Sequence, residues 1–286
     1  MLLNYYMDKV VSVDKLQRIA FEIRKNVILS LSAAGSGHLG GSLGMADVFT
    51  ALYFHVMNHK PDDPEWEQRD RLILSIGHIA PLLYATLAQA GYFPVHELKT
   101  LRQLGSRLQG HPGKEHGLPG LEISSGSLGQ GLSVSVGIAL AAKIDKKNIH
   151  VFTILGDGEL QEGSVWEAAM SASAHQLGNM IAIVDRNFKQ IDGDTEKVMP
   201  LEPLAEKWKA FGWDCYECNG NNMKQIIEIL NRIKNMSAKP KVVIARTIMS
   251  KGVSSIEDDY RWHGKAPTED EAHRFIEELQ HNNHGS

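Results

Sequence analysis

The sequence predicts an α/β protein whose doubly wound, mainly parallel sheet carries helices on both faces. Two observations lead to this prediction. In the second half of the chain, short apolar runs typical of buried strands alternate with amphipathic helical patterns. In addition, 43% of the 286 residues are hydrophobic and 22% are charged, which is enough apolar material for a full core. No internal repeat or linker divides the chain, so we expect an N-terminal extension at 1–11, a single domain at 12–280 and a disordered tail at 281–286.

The first half of the chain is mostly helical in pattern. Apolar residues three and four positions apart predict a long helix over 12–34, which ends in the glycine cluster GSGHLGGSLG. The same periodicity predicts four further helices, over 44–57, 76–91, 94–104 and 132–143. A short apolar run at 71–75 predicts a buried strand.

Strands and helices alternate strictly from residue 148 onward. Four apolar runs predict strands over 148–155, 179–185, 214–218 and 241–248. Three amphipathic patterns between them predict helices over 162–177, 202–211 and 223–233. Because strands joined by helical crossovers run parallel, this region predicts a parallel sheet. The two cysteines, Cys215 and Cys218, fall in one of these strands on opposite faces, so we expect structural thiols and not a metal or redox pair.

Charge and composition argue against several classes of protein. Thirty basic against 34 acidic residues give a formal charge of −4, which offers no footprint for nucleic acid or an anionic membrane surface. A membrane span needs about 18 consecutive apolar residues. No run in the sequence approaches this length. Two cysteines provide no disulfide framework, so a reducing compartment and a cytoplasmic location are expected.

Polar side chains follow two neighbouring strands of the predicted sheet. Asp157, within GDG, comes directly after one buried strand, and Asn187, within DRN, follows the next. Because parallel strands end at the same edge of a sheet, these side chains should lie side by side. A carboxylate and an amide oxygen suit Mg²⁺, which takes its remaining ligands from phosphate and water. Gly156 and Gly158 allow close approach of a diphosphate, and the helix beginning near Glu162 directs its amide-rich N-terminus there.

One glycine-rich string suggests a different class of enzyme. GSGHLG, at 35–40, matches the dinucleotide fingerprint G-x-G-x-x-G of nicotinamide-dependent oxidoreductases. That fingerprint leaves a strand and enters a helix, with an acidic residue about 20 positions further on. Here the string follows the first long helix, and Asp47 stands too close. We therefore reject a dinucleotide site at this position.

Segments along nearly the whole chain resemble those of transketolases. GDGELQEGSVWEAA followed by IAIVDRNFKQIDG resembles the family's thiamine diphosphate motif. SGHLGGSLGMADV, DRLILSIGH, LQGHPG, SSGSLGQGLSVSVGIA and RWHGKAP resemble further transketolase segments in the same order, so the resemblance spans residues 12–270. It implies the PP-type thiamine-diphosphate-binding fold and transfer of a two-carbon ketol unit from a ketose to an aldose. The implied cofactors are thiamine diphosphate and Mg²⁺, or Ca²⁺ or Mn²⁺ in its place.

Residue by residue, the resemblance implies three groups of site residues. The metal ligands would be Asp157, Asn187 and the backbone carbonyl of Lys189. The cofactor would contact Gly126, Leu128, Gly156, Gly158, His78, Asn187 and Ile191. The catalytic set would be His38, His78, His111, His263 and Glu162. His111 would lie near the terminal hydroxyl of the ketose, and His38 and His263 near the hydroxyl that loses its proton. Glu162 would lie at a subunit interface. Imidazoles suit this work because their pKa lies near neutrality.

The resemblance also implies a partner. A one-chain transketolase is more than twice as long, so this chain resembles only the N-terminal subunit of a split enzyme. A C-terminal subunit, with pyrimidine-binding and C-terminal domains, would complete an α2β2 complex acting on sugar phosphates, without nucleic acid or membrane. Two alternatives stay open: a catalytically idle or regulatory paralogue, and a related thiamine-dependent enzyme such as a deoxyxylulose-phosphate or dihydroxyacetone synthase. RWHGKAP and the histidines favour transketolase over the second.

Three residues depart from the family's usual pattern. Ile76 stands where asparagine or lysine is usual, Ile79 where a small residue is common, and Phe188 where glycine is frequent. Because isoleucine cannot form hydrogen bonds through its side chain, we expect a more apolar pocket. Either the cofactor is then held slightly differently or the ketose substrate is unusual, and the sequence leaves both open.

Overall fold

A computed structural model describes residues 11–236 and 238–284 of the chain. The N-terminal extension predicted at 1–11 therefore lies, except for Val11, outside the described residues. Seven strands are present in this part of the chain: β1 (Arg71–Leu74), β2 (Val151–Gly156), β3 (Met180–Arg186), β4 (Lys189–Gln190), β5 (Gly193–Asp194), β6 (Asp214–Asn219) and β7 (Lys241–Arg246). The five predicted strands are thus confirmed, and the short β4–β5 hairpin was not predicted.

The main sheet contains five strands in the order β1-β2-β3-β7-β6. Every neighbouring pair in this sheet is parallel. Strands β2 and β3 lie inside the sheet and are buried almost throughout, which is why their sequences are continuous apolar runs. Since all five strands point the same way, the residues that follow them meet at one edge, which we call the carboxyl edge. The predicted doubly wound α/β fold is confirmed.

The helices of the first half are α1 (Val13–Ala34), α2 (Gly40–Gly44), α3 (Ala46–Ala51) and α4 (Ala80–Ala90). Gly35 caps the C-terminus of α1. Its left-handed φ of 63° lets its N–H donate to the carbonyls of Leu31 and Ser32 in the last turn. The helix predicted over 44–57 is confirmed by α3 and the π-helical turn Leu52–Val56 that follows it, whereas α2, within the glycine cluster, was not predicted. A Cβ on Gly40 would lie 2.5 Å from Met249 Cγ, so here glycine permits close packing against the loop after β7.

The remaining helices are α5 (Gly131–Ile144), α6 (Gly163–Ala174), α7 (Thr195–Val198), α8 (Leu204–Ala210), α9 (Met223–Lys234) and α10 (Glu269–His284). The helix predicted over 94–104 is wrong in length, since only a 3₁₀ turn at Val95–Thr100 forms. The disordered tail predicted at 281–286 is wrong for residues 281–284, which belong to α10, while 285 and 286 lie outside the described residues. The Asn282 amide donates to Gly252 O and Ser254 Oγ, and these bonds hold the last turns of α10 against the preceding loop.

Two apolar layers enclose the sheet, one on each face. Helices α1, α3, α4, α9 and α10 cover one face, while α5, α6 and α8 cover the other. Cys218 packs in the first layer and Cys215 in the second, which confirms their opposite orientation, and burial raises the pKa of both thiols to about 11. Across 11–236 and 238–284, no helix combines the length and apolarity that crossing a bilayer requires.

Candidate functional site

The segments after β2 and β3 lie in contact at the carboxyl edge, as expected from their positions in the sequence. Gly156 and Asp185 are register partners, and one residue further on stand Asp157 and Arg186. The Phe188 N–H donates to Asp157 Oδ2 at 2.7 Å, which ties the residue after Asn187 directly to the GDG turn. Parallel strand ends therefore bring together the two segments that carry the predicted metal ligands.

The Asp157 carboxylate is buried but not saturated with partners. Its Oδ1 accepts from the Gly158 N–H at 2.8 Å, and its Oδ2 accepts from Phe188 and, at 3.2 Å, from Arg186 Nη1. Burial raises the pKa of Asp157 to about 6, against the opposing attraction of Arg186. The carboxylate therefore carries its charge at neutral pH in a place that favours a nearby cation.

Asn187 is oriented by its neighbours. Its amide nitrogen donates to Asp185 Oδ2 at 2.9 Å, while its Oδ1 accepts from the Lys189 N–H at 2.8 Å. Asp185 is itself fully buried, which raises its pKa to about 7, and it accepts a hydrogen bond from Thr247 at the end of β7. The ends of β3 and β7 thus fix the direction in which Asn187 presents its oxygen.

These residues fit a hard cation bound to a diphosphate. Asp157 and Asn187 supply oxygens that keep lone pairs free. A Cβ on Gly158 would lie 3.2 Å from Gln190 Cβ, so this turn leaves room for little besides backbone. The Lys189 ammonium is held by Asp194 at 2.7 Å, which leaves only its backbone as a candidate ligand. In the part of the chain that the structure describes, no three His, Cys, Asp or Glu side chains form a metal cage, so phosphate and water would complete the shell.

Arg186 is a functional residue that the sequence did not reveal. Its side chain is fully buried and donates to Asp157, to Thr195 Oγ1 at 2.8 Å, and to two further carboxylates, those of Glu196 and Glu202. A charge this deep is stable only when paired. Arg186 therefore connects the GDG turn to the segment that follows the β4–β5 hairpin and fixes the position of Asp157.

Glu159 is a second residue that the sequence analysis missed. It is buried, and its carboxylate accepts from the Gly129 N–H at 2.8 Å, from the Gly156 N–H at 3.1 Å and from the Ser75 hydroxyl. These partners come from three separate segments: the end of β1, the end of β2 and the SSGSLGQG loop. The only signal in the sequence was an acidic residue directly after GDG.

We expect Glu159→Ala to destabilise the protein by about 2–4 kcal/mol, because it leaves buried donors on three segments without a partner. Urea denaturation of the purified protein measures this change. Glu277→Ala, on the exposed face of α10, is the matched control and should have little effect. Equal stability of the two variants would show that Glu159 does not hold these segments together.

Four histidines from distant parts of the sequence form one cluster at the carboxyl edge. The ring centroid of His38 lies 4.9 Å from that of His78, 6.4 Å from that of His111 and 5.8 Å from that of His263. His78 and His263 are 5.2 Å apart. The structure therefore brings together the four histidines that the sequence placed at one site.

Desolvation lowers the pKa of all four imidazoles, although His111 is an exposed residue. Burial lowers the pKa of His38 to about 4, with further contributions from His263, His111 and Arg102. The pKa values of His78, His111 and His263 are also lowered, in each case mainly by burial. Buried Nδ1 atoms of His38 and His263 have no partner among the described residues, so both rings keep a free nitrogen for a ligand. Neutral imidazoles can accept a proton at physiological pH.

The lowered pKa of His38 predicts a pH effect on stability. Between pH 6.5 and about 4 the unfolded chain binds a proton at this position that the folded chain does not, so stability falls as the pH falls. We expect His38→Asn to make the free energy of unfolding decrease less steeply than in the wild type over this range. His96→Asn, at an exposed position, should leave the slope unchanged. Asp157 and Asp185 have raised pKa values and act in the opposite direction, but equally in all three proteins. Identical slopes would contradict the assignment.

The remaining predicted site residues lie around the same edge. A Cβ on Gly126 would lie 3.3 Å from the His111 ring, and one on Gly264 would lie 3.2 Å from Ile191 Cδ1. Ile191 is 60% exposed and Leu128 is 36% exposed, so both present apolar surface to the outside. Glu162 is exposed at the N-terminus of α6, beside the SSGSLGQG loop.

The two isoleucines that depart from the family's pattern pack into the core. Ile76 and Ile79 are buried in the first apolar layer, where they contact the positions that a Cβ would take on Gly156 and Gly41. They therefore belong to the core and not to the pocket. Phe188 adopts a left-handed φ of 63°, a conformation that favours glycine, and its ring lies 3.9 Å from the Arg186 guanidinium.

Comparison with known proteins identifies the family. A sequence profile described as "Transketolase, thiamine diphosphate binding domain" matches residues 16–285. The chain is 42% identical over 267 residues to a subunit of the apulose-4-phosphate transketolase of Phocaeicola vulgatus, covering 93% of this chain and 94% of that protein. It is also 42% identical over 265 residues to a 6-deoxy-6-sulfo-D-fructose transketolase subunit of a Clostridium species, covering 93% and 96%.

Solved structures of transketolases share the fold of this chain. The transketolase of Campylobacter jejuni superposes with a TM-score of 0.86 at 34% identity, over 95% of this chain and 43% of that one. The transketolase of Leishmania mexicana gives a TM-score of 0.88 at 30% identity, over 95% and 42%. This chain therefore spans less than half the length of these enzymes. With a matching profile over nearly its whole length and the corresponding fold, the chain belongs to the transketolase family of transferases, of which it carries the thiamine diphosphate binding domain.

Proposed function

We propose that the chain binds the metal-diphosphate end of thiamine diphosphate and, with a partner subunit, transfers a two-carbon ketol unit from a ketose donor to an aldose acceptor. The observation that carries the proposal is the convergence of Asp157 and Asn187 with four histidines on one edge of the sheet. The fold alone would accommodate many reactions, whereas this combination suits few.

Each group of residues has its own task. Asp157, Asn187 and the Lys189 carbonyl hold Mg²⁺, while Gly156 and Gly158 admit the diphosphate. Gly126, Leu128 and Ile191 line the ring region of the cofactor, and His78 lies near the diphosphate. Support comes from the contact between the GDG turn and the Asn187 segment and from the exposure of Leu128 and Ile191.

When bound, thiamine diphosphate would supply an electron sink for cleavage of the carbon–carbon bond beside the carbonyl. The histidines bind the sugar and move its protons. His38 and His263 accept the proton of the hydroxyl that becomes a carbonyl, since burial keeps both rings neutral. His111 orients the terminal hydroxyl of the ketose.

A partner subunit completes the site. The chain spans 43% of the length of the Campylobacter enzyme, and both bacterial relatives described above are named as subunits. The exposed apolar side chains of Leu128 and Ile191 offer surface that a second chain would cover. We propose an α2β2 complex with a subunit that contains pyrimidine-binding and C-terminal domains, contacted partly through Glu162.

The substrate is a ketose that carries an anionic group. The two relatives are named for apulose-4-phosphate and 6-deoxy-6-sulfo-D-fructose, sugars with a phosphate and a sulfonate respectively. A panel of phosphorylated and sulfonated ketoses, offered to the purified complex with an aldose phosphate, tests this proposal. Ketol transfer from at least one donor is expected. A complex that binds thiamine diphosphate and transfers from none would instead be an idle or regulatory paralogue.

A further inference from the structure

One half-buried guanidinium, that of Arg102, lies beside the histidine cluster. A Cβ on Gly110 would lie 2.8 Å from Arg102 Cζ, and a Cβ on Gly37 would lie 3.7 Å from Arg102 Nε. Gly110 directly precedes His111, and Gly37 directly precedes His38. The guanidinium therefore lies between the two backbone segments that carry these histidines.

The hydrogen bonds of Arg102 are incomplete. Its Nη1 donates to the Ser36 hydroxyl at 3.2 Å, and within the described residues its buried Nε has no partner. Across 11–236 and 238–284, no carboxylate forms an ion pair with it, whereas the buried Arg24, Arg69 and Arg186 each have at least one. Buried charged donors without partners are unfavourable, so a guanidinium that lies beside the histidine cluster without a carboxylate partner indicates an acceptor that arrives with a ligand.

The backbone at Arg102 is strained. Its φ is 61°, in the left-handed region that a bulky side chain rarely adopts. The Arg102 N–H donates to Leu108 O at 2.8 Å, which closes the turn leading to the His111 loop. Strain of this kind persists where the surrounding structure requires a particular side-chain position, and it is common at ligand sites.

The charges around Arg102 also favour an oxygen ligand. The Arg102 guanidinium contributes to lowering the pKa of both His38 and His111. Tyr84 of α4 is also near, since Arg102 lowers its pKa while Glu115, from the loop after His111, raises it. The buried Tyr84 hydroxyl has no partner in the described chain. The Arg102 guanidinium thus lies beside imidazole rings whose pKa values are lowered.

We propose that Arg102 is a substrate-binding residue that donates hydrogen bonds to an oxygen at the ketol end of the sugar, between His38 and His111. This proposal rests on the proposed function and deepens it, because it assigns recognition of the ketol end to a guanidinium of this chain. The phosphate or sulfonate at the far end of the sugar is then left to the partner subunit.

The test uses the complex of this chain with its partner, loaded with thiamine diphosphate and Mg²⁺. The variants are Arg102→Met, which removes the donors, and Arg102→Lys, which keeps the charge. Arg107→Met is the matched control, because Arg107 lies in the same segment and pairs with Glu97 at the surface. Donors are L-erythrulose, which has no anionic group, and the phosphorylated or sulfonated ketose that the wild type uses.

We expect Arg102→Met to lower kcat/KM by about 100-fold with both donors, the loss typical of one donor to a reacting oxygen. Arg102→Lys should recover part of this loss, and the thiamine diphosphate affinity of both variants should stay within about twofold of wild type. A loss confined to the charged donor would place Arg102 at the anionic end of the sugar and overturn the proposal. A parallel loss of cofactor affinity or of thermal stability in Arg102→Lys would reveal a structural role instead. An inactive wild-type complex would refute the proposed function itself.

Discussion

Replacing Asp157 by asparagine should weaken Mg²⁺-dependent binding of thiamine diphosphate by about 100-fold or more. The variant keeps the shape of the side chain but removes the one charge that faces the cation. The protein then offers the cation only neutral oxygens, beside the diphosphate and water, and these hold a divalent ion less well next to a buried guanidinium such as that of Arg186. Isothermal titration of the complex with the cofactor, at fixed Mg²⁺, measures the change.

Two controls separate this effect from a loss of folding. Asp145→Asn, at an exposed position after α5, should bind the cofactor normally. The free energy of unfolding of Asp157→Asn should change little, because lost hydrogen bonds are offset by relief from burying a charge whose pKa is raised to about 6. Unchanged cofactor affinity in Asp157→Asn would remove the metal assignment.

Replacing His111 by alanine should affect turnover and leave cofactor binding nearly intact. The His111 ring lies against Gly126 and within 6.4 Å of the His38 ring centroid, on the side of the site assigned to the sugar. We expect kcat/KM to fall by about 100-fold or more, while the dissociation constant of thiamine diphosphate changes by less than about twofold.

The control for this prediction is His116→Ala, because His116 is exposed in the same loop. It should behave as the wild type in both measurements. If His111→Ala lost turnover and cofactor affinity to the same extent, the ring would belong to the diphosphate site and not to the sugar site.

The sheet and its carboxyl edge follow directly from local patterns in the sequence. Buried parallel strands such as β2 and β3 are continuous apolar runs, and the first polar residues after them mark the edge where a site forms. The segments of Asp157 and Asn187 could therefore be paired from the sequence alone, before the contact between Phe188 and Asp157 was known.

Other features depend on contacts between distant segments and could not be predicted in this way. Glu159 is one acidic residue among many until its partners at Ser75, Gly129 and Gly156 are known. Three of the five residues of α2 are glycines, which have a low helix propensity, so the sequence did not predict this helix. Gly40 and Gly44 pack closely against Met249 and Ile248, a contact that only the structure reveals.

The side chains of Ile76 and Ile79 illustrate the same limit of sequence patterns. Their neighbours in the sequence belong to the cofactor segment, yet both side chains pack into the core. Their burial therefore gives no support to the expected apolar pocket, which stays a prediction. Substrate preference is instead expected to depend on the histidine cluster, on Arg102 and on the partner subunit.

The most direct test is native mass spectrometry of the chain recovered from its own cell extract, with thiamine diphosphate and Mg²⁺ added. The proposed α2β2 assembly, in which the partner covers the exposed surface near Leu128 and Ile191, predicts a complex of two copies of this chain and two of the partner. Two cofactor molecules should be bound, and they should be lost when Mg²⁺ is removed. A homo-oligomer that binds no cofactor at saturating concentration would contradict both the partner and the roles given to Asp157 and Asn187.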